Sequence, residues 1–206
     1  MTEPREKLAV RAARRQKPPP GRTGLLLVDV INPLDFEGAE ALAARALAAA
    51  EVIRRLRDAA DRAGVPVVYV NDNYGFWTSE RERIVEEIRS ASPAADDLAA
   101  ILAPRAGDYF VIKPQVSGFY ATNLPVLLPQ LGVSRLILAG FALDSCVLFT
   151  AADAHMRDYD LWTPRDAVAG AHDARAAWAL EILESSLGAE TATTDDLSLE
   201  AWIERA

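Results

Sequence analysis

Short apolar runs alternate with segments of helical periodicity along this chain, and this alternation constrains the fold more than any other feature. Leu25–Val28 is a continuous apolar run, which is typical of a strand buried on both faces of a parallel sheet. Between Gly38 and Gly64 apolar residues recur every three or four positions, which predicts an amphipathic helix. Strands that alternate with helices form right-handed crossovers. We therefore expect an α/β fold, a three-layer α/β/α sandwich with a mostly parallel six-stranded sheet of the Rossmann-like kind.

The same two patterns continue to the end of the chain. Further strands are predicted at 65–70, 109–112, 135–139, 159–163 and 190–193. Further helices are predicted at 79–89, 96–102, 122–131, 146–157, 173–187 and 197–204. The 206 residues show no internal repeat, and their number suits one domain.

Charge divides the chain into two parts. Residues 1–22 carry seven basic and two acidic side chains and contain a Pro-Pro-Pro-Gly run at 18–21, so we predict a basic N-terminal extension followed by one folded domain at 23–206. The extension either binds a partner subunit or anion, or lies loosely on the body. The whole chain has a net charge of −8, which argues against a nucleic-acid partner.

Targeting signals are not evident in the sequence. No apolar run reaches the roughly 18 residues that a membrane span needs. The polar N-terminus lacks the apolar core of a signal peptide. We therefore expect no membrane association and a cytoplasmic location.

Three chemically reactive side chains follow three of the predicted strands. Asp29 follows the first strand, Lys113 the third, and Cys146 begins the helix after the fourth. Each residue alone has a structural explanation: a loop cap, a solvated strand end and a small buried hydrophobe. Ligands of open parallel sheets bind beyond the carboxyl ends of the strands, so the convergence of all three favours catalysis. A helix start and a nearby lysine both favour the thiolate of Cys146.

The segment Gly140–Ala151, with the sequence GFALDSCVLFTA, resembles the nucleophile motif of the isochorismatase-like cysteine hydrolases. This superfamily includes nicotinamidases, N-carbamoylsarcosine amidases, ureidoacrylate amidohydrolases and isochorismatases. Leu25–Phe36 is similar to the aspartate loop of the family, and Lys113 with Ser117–Phe119 to its lysine segment. Together these motifs extend the resemblance over roughly residues 23–195.

The resemblance implies a catalytic triad of Asp29, Lys113 and Cys146. In it Cys146 attacks a carbonyl carbon, Asp29 transfers protons and Lys113 stabilises the developing charge. The resemblance also implies an oxyanion hole formed by the backbone amides of Ala142 and Cys146, and a cis peptide bond between Phe141 and Ala142.

Departures from the family pattern narrow the function. Leu143 stands where threonine is common, and Ile31 replaces a glutamine of the aspartate loop. Nicotinamidases bind a metal through an aspartate and histidines after the second strand, but residues 71–77 contain no histidine. We therefore predict no metal site and no cofactor, and we expect the chain to belong to a branch of the superfamily other than the nicotinamidases. A weak hard-cation site at Asp72 with Asn71 and Asn73 stays open.

These inferences predict a cysteine-dependent hydrolase that cleaves a small-molecule C–N bond (amide, carbamoyl or ureido) through a covalent thioester. The residues predicted to contact this small-molecule substrate are Asn32, Phe36, Trp77 and Phe119. A homo-oligomer, dimer or tetramer, is expected. Two alternatives stay open: an isochorismatase-type vinyl ether hydrolase, and a catalytically silent binding module of the same fold.

Overall fold

The computed structural model describes residues 21–35, 38–75 and 81–205. Its strands are β1 (Arg22–Val28), β2 (Val67–Asp72), β3 (Tyr109–Lys113), β4 (Val133–Phe141), β5 (Asp160–Trp162) and β6 (Val168–Ala169). Its helices are α1 (Ala39–Ala63), α2 (Arg81–Arg89), α3 (Pro93–Leu102), α4 (Leu124–Gln130), α5 (Leu148–His155), α6 (Asp173–Ser185) and α7 (Leu199–Glu204). A π-helical turn, Leu143–Val147, precedes α5. Residues 1–20, most of the predicted basic extension, lie outside the described residues.

The strands form one parallel six-stranded sheet, which confirms the predicted fold class. The strand order is β3-β2-β1-β4-β5, and β6 also pairs with β4. Because the chain crosses from one side of β1 to the other between β3 and β4, the crevice between β1 and β4 is a topological switch point, where such folds bind ligands.

The position of the sixth strand was predicted wrongly. Glu190 makes only an isolated bridge to Trp162, and the sixth strand is instead β6, whose two residues pair with Gly140 and Phe141 of β4. A strand of two residues is too short to produce a period-2 pattern in the sequence, so periodicity could not reveal it.

Each face of the sheet is covered by a separate apolar cluster. Leu25 and Leu27 of β1 belong to the cluster beneath α1, α3 and α7. Leu26 and Val28 belong to the cluster beneath α4, α5 and α6. Successive residues of a strand point to opposite faces, so the continuous apolar run of β1 is required by helix layers on both sides. Within the described residues, no helix is both long and apolar enough to cross a membrane.

A buried arginine joins α1 to the segment that leads into β3. The guanidinium of Arg57 is 1 % exposed and pairs with the carboxylate of Asp108. It also donates hydrogen bonds to Tyr69 Oη at 2.6 Å and to the Ala103 carbonyl at 2.9 Å. Because a buried charge needs both a counter-ion and hydrogen-bond partners, these contacts fix the start of β3, the strand that ends at Lys113.

Candidate active site

Strand register brings the ends of four strands together at one edge of the sheet. Val28 pairs with Gly140 across β1 and β4, and Asp72 pairs with Lys113 across β2 and β3. The polypeptide turns sharply directly after β1, because Asp29 adopts a left-handed conformation with a φ of 50°. The side chains of Asp29 and Lys113 are both buried here.

The ammonium group of Lys113 lies at the centre of this edge. Its Nζ atom is 2.9 Å from Asp29 Oδ2 and 3.3 Å from Asp72 Oδ2. The same atom is 3.4 Å from the Sγ atom of Cys146. The structure thus brings together the three side chains of the predicted triad and adds a second carboxylate.

Burial and neighbouring charges change the proton affinity of Asp29. Burial raises the pKa of this carboxyl group, and the positive charge of Lys113 and hydrogen bonds from Cys146 and the Asp72 amide reduce the rise without cancelling it. The Asp72 amide donates to Asp29 Oδ1 at 2.8 Å. A carboxylate with a raised pKa is a stronger base than an exposed one, which suits a group that must accept a proton.

The surroundings of Cys146 favour the protonated thiol, contrary to the expected thiolate. Burial, together with the adjacent charge of Asp29, raises its pKa from 9.0 to about 12, although Lys113 acts in the opposite direction. The helix-start argument is therefore outweighed by desolvation. The nucleophile has to lose its proton during the reaction, and Asp29 is the neighbouring base.

The segment that carries Cys146 is a π-helical turn rather than the start of the predicted α-helix. The amide of Val147 donates to the carbonyl of Ala142 at 3.3 Å, five residues earlier. The first amides of a helix have no acceptor inside the helix, and the amides of Ala142 and Cys146 lie in this position. An oxyanion hole formed by these two amides stays a prediction.

The expected cis peptide bond between Phe141 and Ala142 is wrong, because all peptide bonds of the described residues are trans. The chain turns there through the left-handed conformation of Ala142, whose φ is 56°. The preceding Gly140 has a φ of 137°, and a Cβ atom at this position would lie 2.0 Å from the Val28 carbonyl oxygen. Only glycine fits where β4 passes this close to β1.

The substitution of the family threonine by Leu143 has a packing explanation. Leu143 is 2 % exposed and belongs to the apolar cluster that α6 covers. Its Cβ atom lies near Gly170, with Ala176 of α6 beside it. The side chain at this position therefore anchors the π-helical turn to α6.

The altered aspartate loop is held from the end of β2. The side chain of Asn71 accepts from the Ile31 amide at 3.1 Å and donates to the Ile31 carbonyl at 2.8 Å. Tyr74 Oη donates to the same carbonyl at 3.1 Å. The Ile31 side chain is fully buried in the core, so the loop is fixed through the backbone and needs no polar side chain at position 31.

The residues predicted to bind substrate occupy different environments. Asn32 is buried, and its Oδ1 atom accepts from the Leu34 amide at 3.0 Å, which closes the loop. Phe119 is 3 % exposed, and its ring contacts Tyr159 and lies under the guanidinium of Arg157. Phe36 and Trp77 lie outside the described residues.

Sequence reasoning missed the contacts that Asn71 and Asp72 make with the other strand-end residues. Both lie at the carboxyl end of β2, beside the end of β1. Their placement follows from register: the strand was predicted to end at residue 70, but β2 continues to Asp72. Had the second strand been predicted to end at residue 72, both side chains would have been expected at the shared edge.

The described residues contain no group of three or more histidine, cysteine, aspartate or glutamate side chains arranged to hold a metal ion. Asp72, the centre of the open hard-cation site, is instead paired with Lys113. A neighbouring ammonium group opposes the binding of a cation at this carboxylate.

Comparison with known proteins identifies similar chains over nearly the whole folded part. The family model of the isochorismatase domain matches residues 23–196. An uncharacterized isochorismatase family protein of Bacillus subtilis, YaaI, is 38% identical over 84% of this chain and 94% of its own length. Maleamate amidohydrolase of Pseudomonas putida is 28% identical over 73% of this chain and 74% of its own length.

A solved structure agrees with the sequence comparison. The crystal structure of N-carbamoylsarcosine amidase from Thermoplasma acidophilum superposes with a TM-score of 0.65 and 28% sequence identity. The match covers 86% of this chain and 99% of the amidase chain. The similarity therefore includes the sheet and both helix layers.

Proposed function

This chain belongs to the isochorismatase family of hydrolases, and we propose that it cleaves the C–N bond of a small amide, carbamoyl or ureido compound with Cys146 as nucleophile. The observation that carries the proposal is the position of Lys113 Nζ, 2.9 Å from the Asp29 carboxylate and 3.4 Å from the Cys146 sulfur. Two similar proteins, an amidohydrolase and an amidase, act on C–N bonds by their names, which supports this bond class.

The proposed reaction begins with a proton transfer from Cys146 to Asp29. Asp29 is buried and Cys146 is partly buried, and both have raised pKa values. The proton therefore moves between neighbours without a net change of charge in the site. The resulting thiolate lies against Lys113, whose positive charge stabilises it. The thiolate sulfur then attacks the carbonyl carbon of the substrate.

Acylation and deacylation follow from the same groups. The carbonyl oxygen becomes negative and accepts hydrogen bonds from the amides of Ala142 and Cys146. Asp29 gives its proton to the leaving nitrogen as the C–N bond breaks, which leaves a thioester on Cys146. A water molecule, deprotonated by Asp29, attacks the thioester; the acid leaves and the sulfur recovers its proton.

A substrate panel tests this proposal directly. We expect the purified protein to release ammonia or amine from at least one of maleamate, N-carbamoylsarcosine, ureidoacrylate or a simple aliphatic amide. Replacement of Cys146→Ala removes the nucleophile and is expected to lower turnover by about 10³-fold or more. Acid quenching during turnover, followed by intact-mass measurement, is expected to show an acyl adduct that Cys146→Ala lacks.

The panel also separates the two alternatives. Cleavage of isochorismate, with no C–N substrate turned over, would indicate a vinyl ether hydrolase. Binding of panel compounds without turnover would indicate a catalytically silent module. Undiminished hydrolysis by Cys146→Ala would contradict the nucleophilic mechanism itself.

A further inference from the structure

Asp72 is fixed at both of its carboxylate oxygens. Its Oδ2 atom lies 3.3 Å from Lys113 Nζ, and its Oδ1 atom accepts from the Tyr74 amide at 2.8 Å. Its own backbone amide donates to Asp29 at 2.8 Å. Asp72 therefore contacts two members of the candidate triad, Asp29 and Lys113. Its negative charge is not required for the proton transfer between Asp29 and Cys146.

The need for this second carboxylate follows from the charges of the proposed reaction, on which this inference rests. In the resting site the Lys113 ammonium faces two carboxylates and a neutral thiol. After the thiol proton has moved, Asp29 is neutral and the sulfur is negative. Once the sulfur has bonded to the carbonyl carbon, the sulfur is neutral as well, and Asp29 keeps its proton until the nitrogen leaves.

At that stage, of the three partners of Lys113, Asp72 alone carries a negative charge. A fully buried ammonium group without a counter-ion is strongly disfavoured. We propose that Asp72 is a positioning residue that acts through Lys113, because it holds the ammonium group charged and in place while Asp29 and Cys146 are neutral.

The same carboxylate affects the resting thiol. The ionisable groups that face one another here lie at or just after strand ends and in the π-helical turn: Asp29 after β1, Asp72 at the end of β2, Tyr74 after β2, Lys113 at the end of β3, and Cys146. Asp72 and the sulfur each lie within 3.4 Å of Lys113 Nζ. Asp72 therefore partly neutralises the ammonium group that stabilises the thiolate, and removal of its charge is expected to lower the pKa of Cys146 by about one unit.

Alkylation by iodoacetamide measures this effect without any substrate. Cys146 is the only cysteine of the chain, so intact mass reports its modification alone. Asp72→Asn retains the shape, the backbone amide and an oxygen acceptor for Lys113 but removes the charge. We expect Asp72→Asn to alkylate about tenfold faster than the unchanged protein at pH 8, with the whole pH profile displaced to lower pH.

Matched variants separate charge from shape. Glu87→Gln removes a carboxylate that pairs with Arg83 on α2, and it is expected to leave the profile unchanged. Asp72→Glu keeps the charge and is expected to retain the profile of the unchanged protein, whereas Asp72→Ala is expected to shift it as Asp72→Asn does.

Two results would overturn the proposal. An unshifted profile in Asp72→Asn would mean that the charge has no effect, and an equal shift in Asp72→Glu would mean that geometry alone matters. Thermal unfolding monitored by circular dichroism shows whether each variant is folded. If Asp72→Asn does not fold, Asp72→Glu decides: a retained profile supports the role of the charge and a shifted one contradicts it. A failed substrate panel would leave this alkylation test intact.

Discussion

Replacement of Gly140→Ala tests the close approach of β4 to β1 that places Cys146 beside Asp29. The φ of Gly140 is 137°, a conformation that is essentially restricted to glycine. The added Cβ atom would lie 2.0 Å from the oxygen and 2.8 Å from the carbon and nitrogen of Val28. Because these are backbone atoms in the middle of a sheet, no side-chain rotation can relieve the contact.

The two effects have separate magnitudes. A non-glycine residue in such a conformation costs about 1–3 kcal/mol, and overpacking in a well-packed interior costs about 1–3 kcal/mol more. We therefore expect Gly140→Ala to lower the free energy of unfolding by about 4 kcal/mol. This is a large part of the roughly 5–15 kcal/mol that stabilises a typical domain.

Urea unfolding followed by tryptophan fluorescence measures this loss, since Trp162 is fully buried and Trp202 is 5 % exposed. Gly107→Ala is the matched control, because Gly107 has a φ of 94° but an added Cβ atom would meet nothing within 4 Å. The control isolates the conformational cost from the steric one. If Gly140→Ala loses no more stability than Gly107→Ala, the close contact is not a constraint and the reasoning is refuted.

Two further predictions concern buried ionisable groups. Arg57→Met leaves Asp108 as a buried carboxylate without its counter-ion and is expected to cost about 3–5 kcal/mol in urea unfolding. Arg105 makes partly exposed ion pairs with Asp58 and Asp61, so Arg105→Ala is expected to cost less than about 1 kcal/mol; equal losses would contradict the role given to burial. Burial in the folded protein raises the pKa of the Cys146 thiol from 9.0 to about 12. The contribution of this group to the free energy of unfolding is therefore fully present below pH 9 and is lost as the pH rises toward 12. The free energy of unfolding is therefore expected to fall by up to about 1.4 kcal/mol per pH unit in this window, and Cys146→Ala to show a shallower fall; identical slopes would argue against a raised pKa.

The general architecture could be predicted because burial on both faces of the sheet leaves a strong pattern. The continuous apolar run Leu25–Val28 and the 3.6-residue period of α1 each report directly which faces are covered. The prediction that three strand ends share one edge follows from parallel topology alone. The structure brings Asp29, Lys113 and Cys146 together accordingly; their catalytic roles stay a proposal.

Features that depend on precise register or on desolvation could not be predicted from pattern. The extension of β2 to Asp72 places a second carboxylate on Lys113, and strand ends are not defined by periodicity. The π-helical turn before α5 has a hydrogen-bond spacing that an apolar pattern does not record. The raised pKa of Cys146 results mainly from desolvation, which a helix-start argument does not include.

The arrangement around Lys113 also has a consequence for substrate selection. An ammonium group has three N–H bonds, and three acceptors surround its Nζ atom: Asp29, Asp72 and Cys146. No donor of Lys113 is left for an incoming carbonyl unless one of these contacts breaks. Recognition of the substrate by the proposed mechanism therefore has to come from other groups, such as the backbone amides of the π-helical turn. In the proposed reaction Lys113 thus serves the proton transfer, and substitutions elsewhere around the site are expected to exchange one substrate for another without changing the contacts of Lys113.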